Sequence, residues 1–303
     1  MEFGPHLVLA LIEGAVQAAV LALTAVGLSL VFGVMRVVNV AHGEFYMLGA
    51  VLAWMVSTQL AGAPVLGFVA ALVIAPLLVG SLAALADLTI LKRVEYDPEA
   101  TIVATIGLLY ILQQTVLMTY GPEARPVAPP FNERIALPWI EAGEVVYPWG
   151  FGTTSYKLFV IVAAAAILTA LWLFLARTKA GLVMRATQLD REMATAFGIP
   201  VERVYAAVFG LGAGLAALAA VLIVPIQQAH YLMGAEPLLL AFIVVIIGGL
   251  GSLRGTLLAA VLIGLTDGVV SVFFSPTLAK ILSTLLVAMV LVFRPQGLFG
   301  RAA

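Results

Sequence analysis

The sequence predicts an all-α fold, a polytopic bundle of eight or nine transmembrane helices, and three observations point to it. Of the 303 residues, 63% are hydrophobic and 10% charged, and mean hydropathy is +1.14. A soluble domain carries roughly 25% charged residues, so too few charges are present to cover a globule in water. The apolar residues also gather into runs long enough to matter, since a helix needs about 20 to cross a hydrocarbon core about 30 Å thick. Finally, Lys and Arg fall almost entirely on one side of those runs.

The first run, Leu7 to Val34, is broken only by Glu13 and Gln17. No Lys or Arg precedes Arg36, so the run lacks the basic start of a cleaved leader and reads as a permanent span. A polar patch, Arg36 to Glu44, leads into Phe45–Leu60. Val65–Leu91 follows and stops at Lys92-Arg93, and Ala100–Tyr120 is the fourth run. Residues 121–155 form a Pro- and Glu-containing loop whose composition favours turns and irregular backbone. Leu158–Ala176 is uncharged, and residues 177–203 are the most polar stretch of the chain. Val204–Val224, Pro237–Leu250, Thr256–Phe274 and Leu278–Phe293 complete the set. Either Arg36–Leu60 or Pro237–Gly255 can be a re-entrant half-helix, which leaves the count between eight and nine.

Orientation follows from the basic residues. Eleven of them (Arg36, Lys92, Arg93, Arg177, Lys179, Arg185, Arg191, Arg203, Arg254, Arg294 and Arg301) fall on one side, against Arg125, Arg134 and Lys157 on the other. The first side is therefore read as cytoplasmic and the 121–155 loop as outward. The chain is read as one permeation domain, 1–303, with that outward loop and a cytoplasmic loop at 177–203.

Composition and spacing also exclude chemistry. Net charge is −1, without the basic excess of a nucleic-acid-binding chain. There is no cysteine, and the histidines at 6, 42 and 230 are far apart, so no metal site is expected. No Gly-x-Ser-x-Gly or His-Glu-x-x-His occurs, which argues against an intramembrane hydrolase. No G-x-x-x-x-G-K-[ST] occurs either, so no ATP site is expected on this chain.

Polar residues inside the runs are the candidates for a translocation path, because an uncompensated charge at membrane depth costs a few kcal/mol or more. Asp267 lies mid-span, and Lys280 is a candidate partner across the Ser275-Pro276 turn. Glu13 and Asp87 are the other carboxylates in spans. Each is half of a structural ion pair, a protonated buried carboxyl, or the coupling group of a proton- or sodium-driven carrier. Asn39, His42, Gly43 and Glu44 lie in a polar break where the start of a helix can face a ligand; the alternative is a cytoplasmic turn with Asn39 as helix cap. Thr105, Gln113 and Gln114 on the fourth span either line a path for a zwitterion or hydrogen-bond between helices. The small-residue spacings at 210–214 and 251–255 suit close helix packing.

In the 177–203 loop, Asp190 to Phe197 has the marks of a short helix: carboxylates early, and Gly198-Ile-Pro200 as a stop. Leu189, Met193 and Phe197 recur every four residues as an apolar stripe, which suits a helix seated in a partner's groove or one folded back on the bundle or the lipid interface.

This loop carries a family resemblance. Glu192-Met-Ala-x-x-x-Gly198 resembles the E-A-A-x-x-x-G core by which bacterial ABC importer permeases dock on their ATPases. The I-x-L-P of the fuller motif is replaced by Val208-Phe-Gly-Leu. Gly27-Leu-Ser-Leu-Val-Phe-Gly33 and Val38-Asn-Val-Ala-His-Gly-Glu-Phe-Tyr-Met-Leu-Gly49 are similar to the N-terminal signature of the LivH-type branched-chain amino acid permeases. Arg185-Ala…Asp190…Ala194…Gly198-Ile, Gly248-Gly-Leu-Gly-Ser-Leu-Arg-Gly255 and Arg294-Pro-Gln-Gly-Leu-Phe299 resemble its later blocks.

The resemblance implies a non-catalytic permease of the bacterial inner membrane. ATP and Mg would be used by separate ABC ATPase subunits, coupled through Arg185, Leu189, Asp190, Glu192, Met193, Ala194, Phe197 and Gly198. It also implies a homologous second permease subunit and a periplasmic or extracellular substrate-binding protein; the outward loop, with Glu123, Glu133, Glu141 and Glu144, is either a docking surface for that protein or a solvated cap over the path. Branched-chain amino acids are the implied solutes, and carriers of urea or short amides share the same blocks.

Overall fold

The computed structural model describes residues 3–137, 139–141, 144–146 and 152–293. Among them are eleven α-helices: α1 (Phe3–Met35), α2 (His42–Gln59), α3 (Pro64–Thr89), α4 (Pro98–Tyr120), α5 (Ser155–Arg177), α6 (Lys179–Leu189), α7 (Arg191–Ala196), α8 (Val201–Ile223), α9 (Ala235–Gly248), α10 (Leu253–Phe273) and α11 (Pro276–Phe293). Six of these, α1, α3, α4, α5, α8 and α10, are long and apolar enough to cross a membrane. The α9 helix has 14 residues and reaches only about 21 Å at 1.5 Å per residue, short of a full crossing.

The layering follows from which helices are apolar all round and which on one face. α1 and α8 form the central column, and Leu23, Val31, Ala213 and Val221 on them are fully buried. They approach so closely that a Cβ on Gly27 would stand 2.6 Å from the Gly212 carbonyl oxygen. Buried Thr256 of α10 donates to Ser29 of α1 at 2.9 Å, tying a third helix to the column. α3, α4 and α5 lie outside, with exposed apolar rows that include Leu77, Val103, Met118 and Val162. A water-soluble monomer does not expose such surfaces; in a bilayer they face acyl chains.

The two ends of the bundle are distinct. At the Lys/Arg-rich end, Lys92 pairs with Glu202 at 2.7 Å. At the opposite end Arg125 and Ala229 form a β-bridge, the Tyr156 hydroxyl donates to the Leu222 carbonyl at 2.7 Å, and Lys157 pairs with Glu13. Glu13 is thus half of an ion pair.

The fold departs from the expected all-α class in the outward loop. Four three-residue strands form there: β1 (Arg134–Ala136), β2 (Trp139–Glu141), β3 (Glu144–Val146) and β4 (Gly152–Thr154). β1 pairs antiparallel with β4, and β2 with β3. Pro and Glu mark a loop, but backbone N–H and C=O groups still need partners, and short ladders supply them. The Glu141 and Glu144 side chains and the Arg294–Phe299 block lie outside the described residues. Arg301 does as well.

Candidate translocation and coupling sites

The polar break after α1 is not a turn at the membrane surface. Arg36 adopts φ 58° and ends α1. Residues 36–41 then run back along the bundle as non-helical chain, with Val37, Asn39 and Ala41 buried. His42, the first residue of α2, donates from Nε2 to the Thr24 carbonyl oxygen at 3.0 Å. Thr24 lies eleven residues before Met35, so α2 begins about 16 Å inside the end of α1. Asn39 does not cap α2. Its Oδ1 accepts from the Ala41 amide at 3.1 Å, the cap position is Ala41, and no side chain caps the helix.

A second helix starts at the same place. A Cβ on Gly43 would lie 3.0 Å from the Gly234 carbonyl carbon and 2.9 Å from Leu238 Cβ, so the N-termini of α2 and α9 are in backbone contact. α9 also lacks a side-chain cap. Two positive helix ends therefore meet inside the bundle, with Glu44 and Glu236 in their first turns, where a carboxylate suits the helix dipole.

Of the residues expected along a path, Asn39, His42, Gly43, Glu44 and Thr105 do come together. The Val40 amide donates to Thr105 Oγ1 at 3.2 Å, and all five are buried. Asn39 Nδ2, His42 Nδ1, Glu44 Oε2 and the neighbouring span's Thr101 Oγ1 have no protein hydrogen-bond partner. A buried polar atom without one costs about 1–3 kcal/mol, so the junction retains capacity for further hydrogen bonds. Gln113 is half-buried and Gln114 exposed on α4, away from this junction. Asp267 is half-buried on α10, and Lys280 pairs with Glu236 at 2.9 Å rather than with Asp267.

Above the junction, toward the outward-loop end, lies a cavity of about 130 Å³. Its polar lining is Gln17, Thr24, Tyr46, Gln227, His230 and Glu236, set among apolar residues such as Leu21 and Leu240. Thr24 belongs to both places: it lines the cavity and its carbonyl holds His42. Glu236-Pro237, an acid and a proline at a helix start, is the sequence signal for this cavity. It is hidden because Pro237 opens the apolar run and Glu236 falls just before it. Gln17, Gln227 and His230 have no local signal; only the tertiary fold gathers them.

The second site is at the Lys/Arg-rich end. Residues 179–189 form α6, a helix the polar composition does not suggest, opened by Thr178 accepting from the Gly181 amide at 3.1 Å. α7 follows after one residue, with Asp190 as N-cap accepting from Met193 N at 3.0 Å. It ends through paired bonds, Gly198 N to Thr195 O at 2.9 Å and Ile199 N to Ala194 O at 3.0 Å, the pattern that places glycine in the left-handed region. Gly198 has φ +80°.

The apolar stripe spans the α6–α7 corner: Leu189 ends α6, Met193 lies on α7 and Phe197 closes it. All three project into solvent, at 74%, 52% and 80% exposure, so the stripe is not folded back on its own bundle. Ala194 is buried against it from the inside, while Arg185 and Glu192 are exposed.

What holds this corner is an aromatic pair that sequence reasoning did not single out. Arg191 lies over the rings of Tyr96 (5.7 Å) and Tyr205 (5.5 Å), which meet edge to face at 4.8 Å. The Tyr96 hydroxyl donates to buried Asp87 of α3 at 3.3 Å. Burial, and after it the nearby Asp87 carboxyl, pushes the Tyr96 phenol above its ordinary value, so it remains a donor. Asp87 thus has a structural partner, and the Arg191–Tyr96–Tyr205 stack links α7 to α8 directly and to α3 through Asp87. Arg191→Ala is expected to loosen the corner by about 1–2 kcal/mol, the size of cation–π contacts to two rings together. Hydrogen exchange of the α7 amides, roughly tenfold faster in the variant, checks it.

A family model described as "Branched-chain amino acid transport system / permease component" matches residues 10–293. The chain belongs to this permease family. Among curated relatives, the high-affinity branched-chain amino acid transport system permease protein LivH of Salmonella typhimurium is 28% identical, over 95% of this chain and 94% of its own length. Its counterpart BraD of Pseudomonas aeruginosa is 27% identical over 98% and 96%. The probable LivH of Methanocaldococcus jannaschii is 24% identical over 96% and 92%. No solved structure matches the chain at a significant level.

For a membrane permease, the exposed corner at Gly198 has a checkable consequence. A Cβ at Gly198 meets nothing within 4 Å, so substitution acts through the backbone, not through crowding. Holding a non-glycine residue in the left-handed region costs roughly 1–2 kcal/mol. Gly198→Arg is therefore expected to leave the protein inserted but to raise the ATP hydrolysed per solute imported, measured in proteoliposomes.

Proposed function

We propose that the chain is the non-catalytic permease subunit of an ATP-driven importer of branched-chain or related apolar amino acids in the inner membrane, with the Lys/Arg-rich end cytoplasmic. The carrying observation is the meeting of two uncapped helix starts beneath a small cavity of mixed polarity. Positive helix ends favour a carboxylate. Gln17 and Gln227, with Glu236 when it exchanges its Lys280 partner, suit an ammonium group, and Leu21 and Leu240 suit an aliphatic side chain. The same arrangement supports eight or nine membrane passes: α2 completes its crossing with the unwound arm 36–41, and α9, too short alone, is the segment that leaves the count open.

ATP and Mg bind to separate ATPase subunits, which grip the Leu189–Met193–Phe197 corner at the cytoplasmic end of a single permease domain. The outward loop 121–155 receives a substrate-binding protein, and a second permease subunit completes the path. The test is uptake into proteoliposomes containing the permease, the second permease subunit, the ATPase subunits and the binding protein, with leucine, valine, acetamide and urea as solutes. ATP-dependent accumulation of leucine and valine is expected. Uptake driven by a proton or sodium gradient without nucleotide contradicts the proposal.

A further inference from the structure

At the Lys/Arg-rich end, apart from the two-helix junction and reaching the inner side of α6, a slot of about 540 Å³ opens between α1, α5, α6 and α10. Its walls are aliphatic: Val26, Leu30 and Val34 on one face of α1, Leu171 and Leu175 on α5, and Leu257 on α10. Its mouth carries Arg185 and Arg254. Both arginines are exposed; among the described residues neither has a carboxylate partner, and Arg185 makes only a 3.3 Å bond to the Gly181 carbonyl. Gln188 donates to the Gly251 carbonyl at 3.3 Å and ties α6 to the start of α10 beside the two arginines.

We infer that this slot binds an anionic phospholipid of the inner leaflet, one acyl chain lying along Val26–Val34 and the phosphate between Arg185 and Arg254. Three features agree. From Val26 to Val34 the slot runs about 12 Å, close to the roughly 15 Å of one leaflet's hydrocarbon. The charge sits only at the end where headgroups lie, and the positive-inside rule puts that end in the cytoplasmic leaflet. Trp172 stands in the slot, 58% exposed, the placement of an aromatic ring between acyl and headgroup layers. Basic pockets between transmembrane helices on this side attract anionic headgroups. Because Arg185 and Gln188 belong to α6, which leads into the α7 corner, a lipid here would brace the base of the coupling loop. The inference does not depend on which solute is carried.

Trp172 supplies the test. The transporter complex is placed in phosphatidylcholine nanodiscs containing a small fraction of phosphatidylglycerol or phosphatidylcholine brominated on the acyl chains. The quenching lost in Trp172→Phe is taken as the Trp172 signal. Brominated phosphatidylglycerol is expected to quench Trp172 at a mole fraction roughly tenfold lower than brominated phosphatidylcholine does, the order set by two basic groups facing one headgroup. The preference should disappear in Arg185→Gln/Arg254→Gln and survive in Arg185→Lys/Arg254→Lys. Leu171→Trp/Trp172→Phe, which fills the slot and leaves both arginines, should show equal quenching of the new tryptophan by the two lipids. Equal quenching by the two lipids in the unsubstituted protein overturns the inference, as does a preference that persists in the double Gln variant. Displacement of the brominated lipid by millimolar inorganic phosphate would assign the arginines to a soluble anion and also overturn it.

Discussion

Met193→Asp/Phe197→Asp is expected to strip the ATPase subunits from the permease and abolish ATP-driven uptake while the chain still reaches the membrane. Both side chains project from the α6–α7 corner, Phe197 more than any other described large apolar residue, so aspartate there disturbs nothing inside the bundle. Burying one such side chain in a partner's groove contributes about 1.5–3 kcal/mol. Losing two, and asking two carboxylates to enter an apolar groove instead, weakens docking by roughly a thousandfold or more. Copurification of the ATPase, compared at matched membrane levels of the permease, reads this directly. Unchanged copurification would mean that the stripe faces lipid or another partner.

Gly43→Val acts at the other end of the mechanism and should abolish uptake with the ATPase still bound. A Cβ at residue 43 runs into the Gly234 backbone, and no flexible side chain can yield there. Overpacking of a close contact costs about 1–3 kcal/mol, sometimes more, here relieved only by parting the starts of α2 and α9. Gly234→Val presses on the same contact from the other side and should match it. Gly62→Val, where a Cβ meets nothing within 4 Å, is the control and should transport normally. If Gly43→Val transports normally too, the junction of the two helices is not on the path.

Hydropathy made most of the fold legible in the sequence, because in a membrane the apolar run and the helix are nearly the same object. The expected run Val204–Val224 corresponds to α8 at Val201–Ile223, and Thr256–Phe274 to α10 at Leu253–Phe273. What escaped was of two kinds. α6 and the strands of the outward loop lie in polar sequence, where composition says loop and backbone hydrogen bonding decides otherwise. The depth of His42 was left open: an arm of Val37, Val38 and Val40 bearing one arginine reads equally as a surface turn or as an inward-facing helix start until its contact with the Thr24 carbonyl is seen.

The α6–α7 corner was largely written in local signals, an Asp N-cap, a glycine stop and a four-residue apolar repeat. Its anchor was not. Arg191, Tyr96 and Tyr205 are far apart in the chain, and nothing in their flanking residues marks them as a stack. The cavity lining shares that character, as Gln17, Gln227 and Glu236 belong to three separate segments. Asp267, prominent in sequence as a mid-span charge, is half-buried on α10, and Lys280 pairs with Glu236 instead of with it.

The most direct measurement follows the cavity itself. The chain has no cysteine, so a single one introduced at Gln227 is the only thiol the permease carries. In proteoliposomes with the ATPase subunits, its labelling by a membrane-impermeant maleimide from the outward-loop side should change several-fold when ATP is bound and trapped. That change should vanish when Met193 and Phe197 are aspartate. Labelling that ignores nucleotide, or that responds to it equally without the apolar corner, would contradict a permease driven through this short loop.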